Sequence, residues 1–355
     1  MIGGGRTRRA RITTIIGVSV AVAALLALGL LPATSSALRL QRQAVRAASG
    51  VACDVGDSPT IPGYDPVTRE MYVPNFGSGN ISVLSGTCKV VGTIPLPSGA
   101  EPVQAVFDPA DNYMLVTDFA LNQIYEISGK KVVFTITNDV IASNFAPFSN
   151  PWGIAYAPDV AGLGPGVVVS NHGANDLTLL DLSDFLAPEP PVYVGSEPEG
   201  MAYDTSDNLL WVANSGNGTV SVANPVSGFA AFTFSVGDQP QEVTFDLAND
   251  YVYVTNTLSD NVTVFNGLLG YERLVGSISG FDLPVGAAGD QSTLQVFVAN
   301  YGNSKIFVIG GSSGLSIVKR EATFSSAGAE GVAYDAANGD VYATGYAENE
   351  VYVLT

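Results

Sequence analysis

A unit with fixed internal spacing recurs seven times along this chain. The clearest copy runs from Pro240 to Phe265 and contains three runs of alternating apolar and polar residues, separated by short polar segments. Alternation with a period of two is typical of β-strands, and the polar segments are typical of turns. A hairpin of two or three strands is marginally stable at best in water. Each unit is therefore predicted to be one member of an array.

Two anchor positions define the first strand of every unit. An opening residue, usually proline, is followed six residues later by a closing residue, usually aspartate, and successive openings lie 42 to 49 residues apart. The constant interval indicates that the innermost strand tolerates no insertion, whereas the outer turns do. Seven all-strand units of this length predict an all-β fold, a seven-bladed β-propeller over residues 50–355. The opening residues are Pro59, Pro102, Pro151, Pro198, Pro240, Pro284 and Ala329.

The two ends of the array are incomplete in complementary ways. Residues 50–56 end in the Val-Gly-x-x-Pro pattern that also precedes later units, so they resemble an outermost strand without a blade. The seventh unit stops after its third strand, near Leu354. An N-terminal strand that completes the last blade would close the ring and remove its exposed edges. We therefore predict that residues 50–56 pair with residues 349–354.

The second strand of most units ends in an aromatic residue followed by Val, Thr or Ala, and Asn. Examples are Tyr253-Val-Thr-Asn256 and Trp211-Val-Ala-Asn214. With the Pro-x-Gly-x-Ala-Tyr-Asp before it and the Asn-x-Val-x-Val after it, this motif resembles the YVTN family of propellers, well represented among archaeal surface-layer proteins. The resemblance implies a secreted or cell-surface binding or structural module. Its implied partner is a surface protein, a surface-layer lattice or a glycan.

The residues before the repeats have the pattern of an export signal. Four arginines lie within residues 1–14, 17 uncharged residues follow over 15–31, and a small-residue segment ends at Ala37. This order predicts a signal peptide over 1–37 and a linker over 38–49. An uncleaved signal anchor is the alternative, because 17 residues are at the lower limit for a membrane span. In that case the chain would contact the membrane only through this segment.

Charge divides sharply at the same boundary. Residues 1–50 hold seven of the 15 Lys and Arg and none of the 33 Asp and Glu. The remaining residues carry 8 basic and 33 acidic side chains, a net charge of −25. Such a surface repels nucleic acid and anionic lipid, so neither is expected as a partner. It suits solubility outside the cell and attracts cations.

The units differ most at the two positions after the opening residue, which are predicted to ring the central channel. The second of these positions is glycine in four units, which permits close backbone packing. Carboxylates that converge on a propeller axis resemble the cation and substrate sites of propeller lactonases, where oxygen ligands hold a divalent ion. Glu199, Glu242 and Glu330 are the metal ligands if Ca²⁺ or another divalent cation binds. The candidate ligand-binding residues are Gln104, Trp152, Glu199, Gln241, Glu242 and Glu330.

The sequence favours binding over catalysis, and no catalytic residue or bound cofactor is predicted. His172 is the only histidine, so no histidine pair can form a zinc or copper site. Streptogramin-lyase propellers resemble the repeat too, but their histidine-dependent catalysis finds at most one candidate here. We expect His172 to lie in a surface loop. The alternative hypothesis is a channel enzyme of the lactonase or lyase type, in which the three glutamates hold a divalent cation and Gln104 or Gln241 orients the substrate.

Two further features depend on export. Three Asn-x-Ser/Thr sequons occupy the same loop of their units, at Asn80, Asn217 and Asn261. They indicate glycosylation of one face, or they are by-products of the repeat itself. Cys53 and Cys88 are the only cysteines, and an exported pair often forms a disulfide. The predicted register places them near opposite ends of adjacent outer strands, which argues against pairing. The sequence leaves both questions open.

Overall fold

A computed structural model of the chain describes residues 51–86, 88–141, 147–183, 191–227, 229–268, 273–290, 293–310, 315–322 and 328–354. These residues form 28 β-strands in seven four-stranded antiparallel sheets, which are the blades of a seven-bladed β-propeller. The predicted fold class is confirmed. The predicted leader and linker, residues 1–37 and 38–49, lie outside the described residues. In the part of the chain that is described, no helix is long and apolar enough to cross a membrane.

Within a blade, chain order follows spatial order from the channel outward, so each blade is a meander. Blade 1 contains β2 (Gly63–Asp65), β3 (Glu70–Asn75), β4 (Asn80–Ser85) and β5 (Lys89–Pro95). Blade 2 contains β6 (Pro102–Asp108), β7 (Tyr113–Asp118), β8 (Gln123–Ser128) and β9 (Lys131–Thr137). Blade 3 contains β10 (Pro151–Ala157), β11 (Gly166–Asn171), β12 (Asp176–Asp181) and β13 (Val192–Tyr193). Blade 4 contains β14 (Pro198–Asp204), β15 (Leu209–Asn214), β16 (Thr219–Asn224) and β17 (Phe229–Ser235).

The remaining blades follow the same order, with one exception at the closure. Blade 5 contains β18 (Pro240–Asp246), β19 (Tyr251–Asn256), β20 (Asn261–Asn266) and β21 (Arg273–Ser279). Blade 6 contains β22 (Pro284–Asp290), β23 (Gln295–Asn300), β24 (Lys305–Gly310) and β25 (Ser316–Ala322). Blade 7 contains β26 (Ala329–Tyr334), β27 (Val341–Gly345) and β28 (Glu350–Leu354), and its outermost strand is β1 (Val51–Asp54) from the other end of the repeats.

The ring is closed by pairing of the first described strand with the last. β1 runs antiparallel to β28, with Val51 opposite Val353 and Cys53 opposite Val351. The ladder continues beyond the strands, because the Val55 amide donates to the Asn349 carbonyl at 2.9 Å. The predicted closure is confirmed.

Cys53 and Cys88 form a disulfide, with their Cα atoms 5.4 Å apart. The expectation that the register keeps them apart is wrong. Cys88 lies in the turn before β5, where a φ of 60° bends the chain, and its side chain packs onto the apolar cluster between blades 7 and 1 that contains Cys53. The disulfide therefore joins the closing strand of blade 7 to blade 1.

The hydrophobic core is divided into layers between neighbouring blades. One layer packs Leu115 and Ile124 of blade 2 against Ile154 and Val167 of blade 3. Because both faces of each sheet are covered, the second strands are largely buried and each contains a run of apolar residues. The apolar layers lie between blades, so each blade depends on its neighbours to bury them.

Asn214 shows why the Val-Gly-x-x-Pro and Val-Ala-Asn patterns occur together. Its amide nitrogen donates to the hydroxyls of Thr219 and Ser221, both at 3.0 Å, and its carbonyl oxygen accepts from the Gly195 amide at 3.1 Å. A Cβ on Gly195 would lie 2.5 Å from the Asn214 side chain. The asparagine of the motif therefore holds the preceding loop against the blade, which is a structural role.

Replacing Cys53 and Cys88 together by alanine should lower the free energy of unfolding by about 3 to 4 kcal/mol, because a crosslink across 35 residues restricts the unfolded chain. Chemical denaturation of the oxidised wild type and the double variant measures the difference. Reduced wild type is the matched control and should unfold like the double variant. Equal stability of the oxidised and reduced proteins would contradict the prediction.

Candidate ligand site in the channel

A β-bulge in the innermost strand turns side chains toward the channel. In β14, Pro198 pairs with Asn214 and Met201 with Val212, so Glu199 and Gly200 together oppose a single residue of β15. The same shift follows the opening residue in β6, β10, β18, β22 and β26. Bulges of this kind re-aim side chains and are frequent next to functional sites. We call the two bulged places the first and second inner positions.

The inner positions divide into two levels along the channel. First inner positions lie near the end formed by the loops after the second strands, and second inner positions lie deeper. The first level borders a cavity of about 240 Å³, which we call the mouth cavity. The second level borders a cavity of about 530 Å³ toward the opposite face, which we call the lower cavity. The mouth cavity is lined by Thr60, Ile61, Phe76, Val103, Trp152, Tyr301, Glu330 and Tyr346.

Side-chain hydroxyls fix the wall at the first level. In five places a hydroxyl donates to the backbone carbonyl of a first inner position in the next blade, at 2.6 to 2.8 Å. Each bond crosses a boundary between blades and positions a lining residue without using its side chain. The donor–acceptor pairs are Thr60–Val103, Thr117–Trp152, Ser170–Glu199, Thr255–Val285 and Thr344–Thr60.

Glycine at the second inner position lets neighbouring backbones approach closely, as predicted. A Cβ on Gly286 would lie 2.3 Å from the Glu330 carbonyl oxygen, and one on Gly331 would lie 2.4 Å from the Thr60 carbonyl oxygen. Contacts this short are not tolerated between heavy atoms. The glycines therefore set the diameter of the channel.

The residue directly after each second strand adds an aromatic collar that the sequence analysis missed. Phe76, Tyr301 and Tyr346 border the mouth cavity, and Phe119 packs edge-on against Trp152 with ring centroids 5.6 Å apart. The available signal was positional, because this residue is aromatic in four units and histidine in a fifth. Comparing the units at that one position would have revealed the collar.

His172 lies in the loop after β11, as expected, and it also belongs to this collar. Its side chain is only 25% exposed, and its ring centroid lies 5.9 Å from that of Trp152. Nε2 is 3.8 Å from Oε1 of Glu199, too far for a good hydrogen bond. Burial lowers the pKa of His172 below its usual value, and the opposing effect of Glu197 is smaller. The imidazole is therefore neutral at pH 7.

Three glutamates give the channel its electrostatic character, of which Glu199 and Glu242 are buried and Glu330 is half-buried. Burial raises the pKa of Glu199 to about 7, against the opposing effect of the Ser215 hydroxyl and the Gln241 amide. Burial, and then repulsion from Glu199, raises the pKa of Glu330 to about 8. Glu242 also has a pKa of about 8, because burial and Glu199 outweigh the hydrogen bond from the Val243 amide. Carboxylates in such surroundings retain protons near neutral pH.

One of these carboxylates lacks a hydrogen-bond partner on one side. Oε2 of Glu199 is buried and accepts no hydrogen bond from the protein, and the residue is 5% exposed. Glu330 differs, because its side chain borders the mouth cavity and is partly accessible from it. An unsatisfied buried carboxylate oxygen is costly unless a ligand or a proton compensates it.

The six predicted ligand-binding residues do not form one cluster. Trp152, Glu199, Gln241 and Glu330 occupy first inner positions, and of these Trp152 and Glu330 line the mouth cavity. Gln104 and Glu242 border the lower cavity. Two of them also have structural bonds. Oε1 of Gln104 accepts from the Ile154 amide at 3.0 Å, and Oε1 of Gln241 accepts from the Thr257 hydroxyl at 2.7 Å.

The glutamates predicted as metal ligands lie at both levels. Among the described residues, no group of three or more His, Cys, Asp or Glu side chains could hold a metal ion. A divalent cation in the channel stays a prediction, without a preformed set of three protein ligands to support it.

The three sequons lie on the mouth face but differ in accessibility. Oδ1 of Asn80 and Oδ1 of Asn261 each accept from a buried asparagine of the preceding strand at 2.8 Å. Asn217 is exposed, and its Oδ1 accepts only from the nearby Thr219 hydroxyl in the bonds described, at 2.7 Å. Asn217 is therefore the most accessible sequon, and glycosylation itself stays a prediction.

Comparisons with known proteins identify the fold. No family model matches the chain, and no curated protein sequence matches it. Virginiamycin B lyase from Staphylococcus aureus has a TM-score of 0.70 at 14% identity, over 86% of this chain and 98% of the lyase. A streptogramin B lyase gives 0.69 at 12%, over 86% and 98%. Hydrazine synthase from Kuenenia stuttgartiensis gives 0.69 at 16%, over 84% and 95%. At these identities the likeness concerns the fold alone.

The raised carboxyl pKa values make stability depend on pH. Between the usual value of 4.5 and about 8, the folded protein holds protons on Glu242 and Glu330 that the unfolded chain has released. The free energy of unfolding should therefore fall as pH rises through this window, by up to about 1.4 kcal/mol per pH unit for each group. Above pH 8 this contribution should level off.

Glu242→Gln tests the source of this dependence, because it removes one titrating group and keeps the side-chain shape. Urea denaturation between pH 5 and 9 should give a shallower slope for this variant than for the wild type. Asp139→Asn, at an exposed loop position, is the matched control and should reproduce the wild-type slope. Identical slopes for Glu242→Gln and wild type would show that Glu242 does not retain its proton.

Proposed function

We propose that this protein is an exported binding propeller that accepts a small ligand, or the projecting group of a cell-surface protein or glycan, in its mouth cavity. The observation that carries the proposal is the lining of that cavity, which combines Phe76, Trp152, Tyr301 and Tyr346 with one carboxylate, Glu330. Binding sites are typically concave, largely apolar or aromatic, and contain few polar groups.

Two of the lining residues are held by strands of the propeller. Trp152 and Glu330 lie on bulged inner strands, and Thr117 fixes the backbone of Trp152 at 2.7 Å. Sites carried by strands hold their side chains more firmly than sites on loops. The volume of about 240 Å³ is below the usual range for pockets that enclose a drug-sized molecule. A small ligand, or the tip of a larger one, fits this size.

Export is part of the proposal and has separate support. The basic, apolar and small-residue order over 1–37 is that of a signal peptide, and the repeat resembles YVTN propellers of the cell surface. The Cys53–Cys88 disulfide is of a kind that persists in oxidising compartments outside the cytosol. A surface-layer association would be one setting for such a protein.

Intrinsic fluorescence tests the site directly, because the chain has only two tryptophans. Trp152 borders the mouth cavity, whereas Trp211 is fully buried between blades 4 and 5. The probes are a panel of mono- and disaccharides and of N-acetylated amino-acid amides. A probe that binds should change the fluorescence of the wild type and of Trp211→Phe, and should leave that of Trp152→Phe unchanged.

Calorimetry with the same probe supplies the control. Trp152→Ala should weaken binding at least about tenfold, since loss of a central aromatic anchor typically costs more than 1.4 kcal/mol. Tyr203→Ala, at the lower cavity, is the matched aromatic truncation and should leave the affinity unchanged. Equal affinity for wild type and Trp152→Ala would place the binding site elsewhere.

An enzyme of the lactonase or lyase type is the second candidate, and the proximity of His172 to Glu199, 3.8 Å between Nε2 and Oε1, favours it. An imidazole with a lowered pKa, beside a carboxyl group with a pKa raised to about 7, has the properties of an acid–base pair in a concave site. Two of the solved structures similar in fold are lyases. A divalent cation held by Glu199, Glu242 or Glu330 would need water or substrate to complete its coordination.

Turnover assays separate this candidate from binding alone. Wild type should convert a lactone or virginiamycin B, with Mg²⁺ or Ca²⁺ and not with EDTA, to a product seen by mass spectrometry. His172→Ala should lose at least about 100-fold in kcat while still binding substrate, since acid–base groups typically contribute 10² to 10⁴. Absence of product with every ion would count against catalysis and leave the binding proposal intact.

A further inference from the structure

We infer that the group recognised in the mouth cavity is an organic ammonium cation, carried by a small molecule or by a lysine side chain. This inference rests on the binding function proposed above and specifies the chemistry of its ligand. Three observations carry it: the aromatic wall, the sign of the charge at the mouth, and the size of the cavity.

The wall provides surfaces that attract cations. Phe76, Trp152, Tyr301 and Tyr346 all border the same small cavity, and Phe119 and His172 pack behind Trp152. Aromatic faces attract ammonium groups through their quadrupole, and several rings around one site form the cages that recognise quaternary ammonium. Tryptophan is the most favourable of these rings for such a contact.

The charge at the mouth has one sign. Among the described residues that line the cavity, Glu330 is the only acidic side chain and none is a lysine or arginine. Glu199 occupies the equivalent inner position of blade 4, and its buried Oε2 has no hydrogen-bond partner. An anionic ligand would be repelled by the acidic surface of the repeats and would gain no compensating charge from these two carboxyl groups. A bound cation would instead favour the ionised form of both groups and displace the protons that burial retains on them near neutral pH.

The size of the cavity limits the cation to a compact group. The mouth cavity, with a volume of about 240 Å³, can accommodate a trimethylammonium or aminoalkyl head group. It is too small to enclose a whole polyamine. The lower cavity, with about 530 Å³, has a different lining in which Glu242 and Gln104 accompany Tyr203, Phe245 and Tyr334. The inference concerns the mouth cavity alone.

Choline and its neutral isostere 3,3-dimethylbutan-1-ol test the charge requirement at constant shape. Trp152 fluorescence in the Trp211→Phe protein should saturate with choline, and the isostere should bind at least tenfold more weakly. This comparison needs no change at the site, so it does not depend on the folding of a site variant. Binding of the isostere within twofold of choline would overturn the inference.

Glu330→Gln identifies the compensating carboxylate. It should reduce choline affinity at least tenfold and leave the affinity for the isostere unchanged. Asp139→Asn removes one negative charge at an exposed position and should leave both affinities unchanged, which separates local compensation from overall charge. Equal losses in the two variants, or no loss in Glu330→Gln, would overturn the inference.

The source of the cation is distinguished by a second probe, the methylamide of N-acetyl-lysine. Tighter binding of this probe than of choline would indicate a lysine of a protein partner, and the reverse would indicate a free quaternary ammonium. A response of Trp152 to neutral saccharides, with none to either cation, would overturn the inference and leave the proposed binding function standing. No response to any saccharide, amide or cation would contradict both.

Discussion

Closure of the ring is the constraint on which the rest of this structure depends. Each sheet is covered on both faces by its neighbours, so a missing blade contact would expose an apolar layer rather than a single residue. The two ends of the repeats meet in blade 7, where β1 completes a sheet that β28 leaves open. Cys53–Cys88 then joins that composite blade to blade 1. Strand pairing and a disulfide at one place in the ring thereby maintain the packing between all seven blades.

The ring is closed and hydrogen bonds join its inner strands. The channel can therefore hold carboxyl groups whose ionised forms destabilise the folded state. Glu199, Glu242 and Glu330 have raised pKa values because burial disfavours their ionised forms. The bulges, the glycine contacts and the hydroxyl bonds position the inner strands by backbone contacts, which do not use the glutamate side chains. Unfavourable groups held in this way are more typical of functional sites than of structural ones.

The sequence predicts features that repeat and misses features that depend on where blades meet. Blade number, closure and close packing at Gly286 and Gly331 follow from constant spacing, and all are confirmed. The contact between Cys53 and Cys88 depends on a left-handed turn that spacing does not encode. The separation of Gln104 and Glu242 from Trp152 into two levels also depends on the bulges, which shift the register without changing the six-residue interval.

His172 shows why a site in a repeat protein is difficult to recognise from single residues but can be recognised by comparing equivalent positions of the units. Considered alone, a histidine in a loop after a strand has no evident partner, and Glu199 is 27 residues away in the sequence. In the ring, these residues belong to neighbouring blades and converge because each blade presents the same loop and inner position to the axis. Positions that are conserved in geometry but variable in residue type are therefore where a propeller can acquire function. The aromatic and acidic residues of the mouth cavity occupy just such positions, whereas the repeated Asn and Asp maintain the frame.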